Sequence, residues 1–372
     1  MARKFGKKNT VKVDPLAYNI ALLGESGIGK TTLVYEMQKK LAGDDQYLHL
    51  NIGLEDGIST IQGIVYEDAP DWATFEEIID DIFDNKEEDY KDLKVVTFDT
   101  IDELEVIAKK EVIRLHNIKN PKERTDSFNK AFGGFGRSYE KLEELVLGSI
   151  QKLREVGVQV FIIGHTKRKT KADPLTETEY DVITAKMSQR LFTAIQTKLH
   201  VLGLAVIDRS IEEEIIGKDY VGKDKISKKV KKEKRVIKFR DDNFAVESKS
   251  RFANIVNEIE FSTDNFINAI TDAIKSEFNN DNDLEKAKKE QEIEKTEKVK
   301  AKLEEINKEK EYKKLGTKEE LVEKIKEFYL NDATPEIKES IKNKVKELGV
   351  GKFDNLIDED YSTIAEVYEL IQ

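Results

Sequence analysis

The chain has 372 residues, 37% of them charged, and a formal net charge of −11. That length allows two or three domains, one of them large enough for a sizeable core, and the acidic balance excludes a wholly basic nucleic-acid coat while leaving local basic sites open. There is no cysteine, hence no disulfide and no thiolate metal site, and no run of ~18 apolar residues that would predict a membrane span.

Residues 1–17 form a polar, basic arm, with Pro15 marking the approach to the first strand. The basic start has no apolar stretch after it and does not read as a signal peptide, so a cytoplasmic location is expected. Tyr18–Leu41 then reads YNIALLGESGIGKTTLVYEMQKKL. Ile20–Leu23 is a short apolar run suited to a buried parallel strand, and Leu33, Met37 and Leu41 recur behind it at helical spacing. Between them Gly24-Glu25-Ser26-Gly27-Ile28-Gly29-Lys30-Thr31 fits G-x-x-x-x-G-K-[ST], in the strand–loop–helix setting that a phosphate-binding loop requires. Gly27 and Gly29 let the backbone N–H groups turn toward phosphates, and the new helix adds its positive end. Lys30 is expected to reach the β- and γ-phosphates and the Thr31 hydroxyl to hold Mg²⁺. Residues 24–32, Thr32 included, are the expected ATP site.

Tyr47–Ile52 predicts a second strand. Gly53-Leu54-Glu55-Asp56-Gly57 follows its carboxyl end, where α/β proteins place chemistry. Phe75–Phe83 predicts an amphipathic helix. Leu93–Phe98 predicts a third buried strand, and its closing Asp99 has the form of a Walker B acid that holds Mg²⁺ through water. Residues 104–127 read as a charged helix and then a polar stretch. Lys130-Ala131-Phe132-Gly133-Gly134-Phe135-Gly136-Arg137 interrupts it with bases, aromatics and glycines together. Tyr139–Val156 predicts a helix, and Val158–Gly164 a fourth strand ending at His165. A polar loop is expected over 167–186, opening with Lys167, Arg168, Lys169 and Lys171. Met187–His200 reads as a helix and Val201–Ile207 as a strand. Beyond the lysine-dense stretch 218–240, Lys249 and Arg251 stand two apart, and 261–278 closes the core as an amphipathic helix.

From Asn279 the composition changes. Residues 281–314 contain neither glycine nor proline, with 11 Lys against 11 Asp or Glu, which predicts a solvated helix supported by i,i+4 pairs and acting as a spacer. Thr317 with Glu320 three residues on resembles a capping box, and Leu321, Ile325 and Phe328 begin a small helical module. The expected fold is α/β: a core over 18–278 with a mostly parallel sheet flanked by helices, a charged helical linker over 279–315 and an all-α module over 316–372.

The order of these pieces resembles the RecA superfamily. They run from the phosphate loop through strands ending near Glu55, at Asp99 and at His165, to the Lys249/Arg251 pair. The likeness is nearest to the small phage-encoded RecA-like ATPases of the Sak type, and it covers roughly residues 15–275. It implies that Glu55 activates the attacking water, and a carboxylate at a strand end facing a γ-phosphate suits that task; Asp56 beside it offers the same chemistry. It implies that His165 senses the γ-phosphate, where RecA itself has an amide. It implies that Lys249 and Arg251 reach a neighbouring subunit's ATP, which requires a homo-oligomer, either ring or filament. The segments 128–138 and 167–186 correspond in order to two DNA-facing loops. Lys130, Phe132, Phe135 and Arg137 in the first, and Lys167, Arg168, Lys169 and Lys171 in the second, supply the stacking faces and charge that hold single strands. The bland alternatives are an aromatic core contact beside a turn and a merely solvated basic face.

The function expected is an ATP-dependent, oligomeric single-stranded DNA-binding ATPase of phage recombination, annealing or replication, in the cytoplasm of an infected host. The competing expectations are a RecA-core helicase or helicase loader, and an ATP-gated scaffold. In the scaffold reading the C-terminal module recruits a partner such as a single-strand-binding protein.

Overall fold

The apolar runs of the sequence become the centre of one sheet. The computed structural model describes residues 10–53, 57–172, 179–218, 224–240, 249–350, 353–359 and 361–371. In chain order the strands are β1 (Ile20–Gly24), β2 (Tyr47–Ile52), β3 (Tyr66–Ala69), β4 (Val95–Asp99), β5 (Gln159–Ala172), β6 (Glu179–Ala185), β7 (Val201–Lys218), β8 (Asp224–Lys238), β9 (Lys249–Ser250) and β10 (Glu258–Glu260). The order across the sheet is β10-β8-β7-β1-β5-β4-β2-β3. From β7 to β3 every pairing is parallel. β8, β9 and β10 add antiparallel pairings at one edge. β1 and β4 are buried along their whole length, as strands covered on both faces must be.

The helices of the core are α1 (Lys30–Ala42), α2 (Trp72–Asp84), α3 (Ile101–Lys119), α4 (Arg137–Glu155), α5 (Gln189–Lys198) and α6 (Thr263–Lys275). Successive residues of a strand point to opposite faces, and β4 shows which helices cover each. Thr97 hydrogen-bonds Gln38 of α1, while Phe98 meets Phe75 of α2 edge-on at 5.2 Å. Leu33, Val34 and Met37 of α1 share one core cluster with Phe266, Ile270 and Ile274 of α6, and Phe239 stacks on Phe266 at 5.6 Å. Asp71 caps α2 by accepting from the Thr74 N–H at 2.9 Å.

One expectation is corrected here, and one strand is added. Within 167–186 the described residues are chiefly strand rather than loop: β5 continues past His165 to Ala172 and pairs antiparallel with β6, Thr166 opposite Ala185 and Ala172 opposite Glu179. The first six residues of β5 are buried and its outer half is largely exposed. With neither face apolar, the outer half has no alternation for sequence reading to detect. Tyr66–Ala69, not expected as a strand, pairs in parallel beside β2.

The chain divides into two compact units, Met1–Lys295 and Thr296–Gln372. Asp281–Lys313 forms the charged helix α7. The second unit contains α8 (Lys318–Asn331), α9 (Pro335–Glu347) and α10 (Tyr361–Tyr368) around Leu321, Ile325, Ile341, Leu356 and Ile364. Thr317 and Glu320 close a capping box on α8, the Thr317 Oγ1 accepting from the Glu320 N–H at 3.2 Å and Glu320 Oε2 from the Thr317 N–H at 2.9 Å. Among the described residues no helix is long and apolar enough to cross a membrane.

Candidate functional site

The site forms where β1 ends. Gly24 sits against β7 so closely that a Cβ on it would lie 2.8 Å from the Ala205 carbonyl oxygen. Glu25, Ser26 and Gly27 are exposed and Ile28 is buried. Gly29 takes φ +104°, a left-handed backbone that glycine tolerates, and serves as N-cap of α1. The exposed turn therefore opens directly onto the first N–H groups of a 13-residue helix, a ready anion site. The Lys30 ammonium folds under the loop, donating to the carbonyls of Gly24 at 3.1 Å and Glu25 at 3.0 Å. Thr32 is exposed on the first turn.

β4 lies two strands from β1 and brings Asp99 to the same end. The Thr31 hydroxyl donates to Asp99 Oδ2 at 2.7 Å, so two residues far apart in the chain meet at this end of the sheet. A hydroxyl and a carboxylate are hard oxygen ligands, and Mg²⁺ is commonly held by one or two protein oxygens plus phosphates and water. The donor set fits that ion, and no cluster of three or more His, Asp or Glu side chains forms a closed metal cage among the described residues. Sequence reading missed His49 on β2, fully buried with its Nε2 3.0 Å from Asp99 Oδ2. A carboxylate only accepts, so the imidazole proton sits on Nε2.

β5 carries His165 into register with Gly24. Its backbone N–H and Nδ1 both donate to Asp102, on the first turn of α3, at 3.0 Å each, and Lys186 Nζ stands 3.6 Å from the same carboxylate. Burial pushes the Asp102 carboxyl up, but the His165 ring and backbone hydrogen bonds and charge outweigh it and hold its pKa at about 2. In the sequence Asp102 stands only in the run Asp99-Thr100-Ile101-Asp102-Glu103 that closes the third strand, before the charged helix expected from residue 104.

Glu55 and Asp56 lie outside the described residues. Their flanks are informative: a Cβ on Gly57 would lie 3.7 Å from Thr31 Oγ1, and one on Gly53 would lie 2.8 Å from Glu103 Oε2. The chain on both sides of Glu55 thus runs along the Thr31–Asp99 end. Arg251 is not brought to its own phosphate loop. Its N–H bonds the His200 carbonyl and its guanidinium the Thr197 carbonyl. That is the amino end of β7, five rows from the Ala205 row that faces Gly24, or about 16 Å at strand spacing. Lys249 pairs with Leu202 at this same end. A cavity of about 890 Å³ lined by Arg154, Thr197 and Arg251 also lies here, away from the phosphate loop.

A different cation reaches the loop. Arg235 of β8 donates from Nη1 to the Ile28 carbonyl at 3.2 Å, and Phe261 lies beside Gly29. In the sequence Arg235 stands within the lysine-dense stretch 218–240, where Arg235–Phe239 (RVIKF) alternates as a short strand would, with nothing to tie it to the phosphate loop.

Of the aromatic segment, Phe132 is half-buried, edge-on to His116 at 5.4 Å, with its N–H donated to His116 Nδ1 at 3.0 Å. It packs as a core contact beside a turn. Phe135 is fully exposed at φ +51°, and Lys130 and Arg137 are exposed beside it. Arg190 at the start of α5 holds the segment, bonding the Gly136 carbonyl at 3.1 Å and Glu143 at 2.9 Å. On the outer part of β5, Lys167, Arg168 and Lys169 are exposed and Lys171 is half-exposed. Lys167 Nζ donates to the Met187 carbonyl at 3.1 Å.

A family model described as an AAA domain matches residues 16–252. That span contains the phosphate loop, Asp99, His165 and both cationic segments. No curated protein matches the chain.

Proposed function

The chain belongs to the AAA domain family, a family of nucleotide-hydrolysing ATPases, and from that premise we propose that it is an oligomeric, Mg²⁺- and ATP-dependent ATPase that binds single-stranded DNA. The observation that carries the reading is the continuity of β5. The same strand sets His165 beside Gly24 and, two to six residues on, projects the Lys167–Lys171 cations beyond the sheet.

In this reading the loop N–H groups and Lys30 bind the β- and γ-phosphates, and Thr31 and Asp99 hold Mg²⁺, which neutralises charge developing on the phosphates. Glu55 orients and polarises the attacking water. His165, fixed by Asp102, meets the terminal phosphate and passes its presence along β5 to the hairpin with β6. Single-stranded DNA lies against Lys167, Arg168, Lys169 and Lys171 and stacks on Phe135, flanked by Lys130 and Arg137. Arg251, remote from its own loop, and Lys249 act on a neighbouring subunit's ATP, so that turnover accompanies assembly. The resemblance to RecA-like phage ATPases of the Sak type points to recombination or annealing as the setting, with the C-terminal module recruiting a partner such as a single-strand-binding protein.

The test is DNA binding with and without a non-hydrolysable ATP analogue across a salt series, for wild type and Phe135→Ala. The reading expects tighter binding with the analogue, weakening as salt rises because phosphate contacts release counterions. It expects a loss of about fivefold or more for Phe135→Ala from the missing stacking face. Binding that ignores both nucleotide and salt sinks it.

A further inference from the structure

The phosphate loop is asymmetric, and the asymmetry says where the rest of the nucleotide goes. Thr31 and Asp99 mark one side, because β4 lies beyond β5 in the sheet. A triphosphate seated on the N-terminus of α1 with its terminal group toward that pair leaves the loop on the other side, over β7, β8 and β10. On that side Phe261 stands at the end of β10, its N–H bonded to the Arg235 carbonyl at 3.0 Å. Its ring comes within 3.4 Å of where a Cβ on Gly29 would lie, and Arg235 Nη1 within 3.8 Å. An open cavity of about 470 Å³ adjoins them, lined by Glu233, Lys234, Arg235, Glu260 and Phe261.

Resting on the reading of residues 24–32 as a triphosphate site, we infer that Phe261 and Arg235 form the shelf for the nucleoside half of the ligand, a purine base lying on the Phe261 ring. An aromatic face takes a base by stacking, and a guanidinium beside it adds a cation to the same π-system. Glu233 and Glu260 are carboxylates, suited to accept from ribose hydroxyls or an exocyclic amine. Gly29 is required for its left-handed backbone, and a Cβ there would meet the ring at 3.4 Å, an ordinary contact. Neither shelf residue is near the loop in sequence. The antiparallel strands β8 and β10 bring both of them back to it.

Phe261 also packs against the core, so the informative variant is Phe261→Leu, which keeps apolar bulk and removes the aromatic face, with Phe261→Tyr as the restoring change. Calorimetric titration of the full chain with Mg²⁺ and either ATP or inorganic tripolyphosphate reads the two halves of the site separately. Phe261→Leu is expected to weaken ATP about tenfold, which is ~1.4 kcal/mol, and to leave tripolyphosphate within about twofold, with Phe261→Tyr near wild type. ATP binding unchanged in Phe261→Leu, or both ligands weakened alike, overturns the shelf while Lys30→Ala still tests the loop. If wild type binds neither ligand, the phosphate-site reading itself fails and takes the shelf with it.

Discussion

Replacing Asp102 with asparagine removes a carboxylate that the fold holds well below its ordinary range. Burial alone would raise it, yet the ring and amide hydrogen bonds from His165 bring it to about 2, against ~3.9 in an unfolded chain. A depressed folded-state pKa contributes stability that is fully present above the unfolded value and is lost as pH falls through the folded one. The window is therefore between about pH 4 and pH 2, and a difference of just under two units corresponds to ~2 kcal/mol. Urea unfolding can be followed through Trp72, the only tryptophan, which is buried at 4% exposure and packed on Phe75 at 5.2 Å. It therefore reports on the core unit alone. Comparing wild type with Asp102→Asn at steps from about pH 5 to pH 2 cancels the other carboxylates. The wild-type advantage should shrink by ~2 kcal/mol over that range. A difference that stays flat would refute the claim that His165 holds this carboxyl down.

Gly24→Ala places a methyl 2.8 Å from the Ala205 carbonyl oxygen and 2.9 Å from its Cβ; thermal unfolding should show a loss of ~1–3 kcal/mol from overpacking, and an unchanged melting temperature would contradict the tight β1–β7 contact. Glu55→Gln should retain ATP binding and abolish steady-state hydrolysis, and normal turnover would remove Glu55 from its role as base. Arg251→Ala should depress turnover per site only at concentrations where the wild type is assembled, as sedimentation would define. A defect that persists in dilute monomer would contradict action on a neighbour.

What could be read from the chain and what could not divide along physical lines. The phosphate loop is local: its glycines, its lysine and the helix behind it occupy one continuous stretch, so the motif carries its own structural setting. Asp99 was legible because an apolar strand ending in an acid is also a local pattern, and its meeting with Thr31 followed from parallel pairing. His49 was not, since a histidine in YLHLNI announces nothing until β2 is set beside β4. Asp102 and His165 form a pair only after α3 and β5 converge on the same end of the sheet. Arg235 and Phe261 lie more than 200 residues beyond Ile28 and return to it through antiparallel strands, a route that no spacing rule encodes. The outer half of β5 was taken for a loop because backbone ladder bonds rather than an apolar face hold it in the sheet.

The central claim is that a magnesium-bound triphosphate seats on residues 24–32 with Lys30 at its β- and γ-phosphates. Equilibrium titration of wild type and Lys30→Ala with MgATP tests it most directly. One bound nucleotide per wild-type chain is predicted, with affinity reduced about tenfold or more in Lys30→Ala, as expected when a charge-assisted hydrogen bond is removed. Equal affinity in the two proteins, or no binding by wild type, would contradict it.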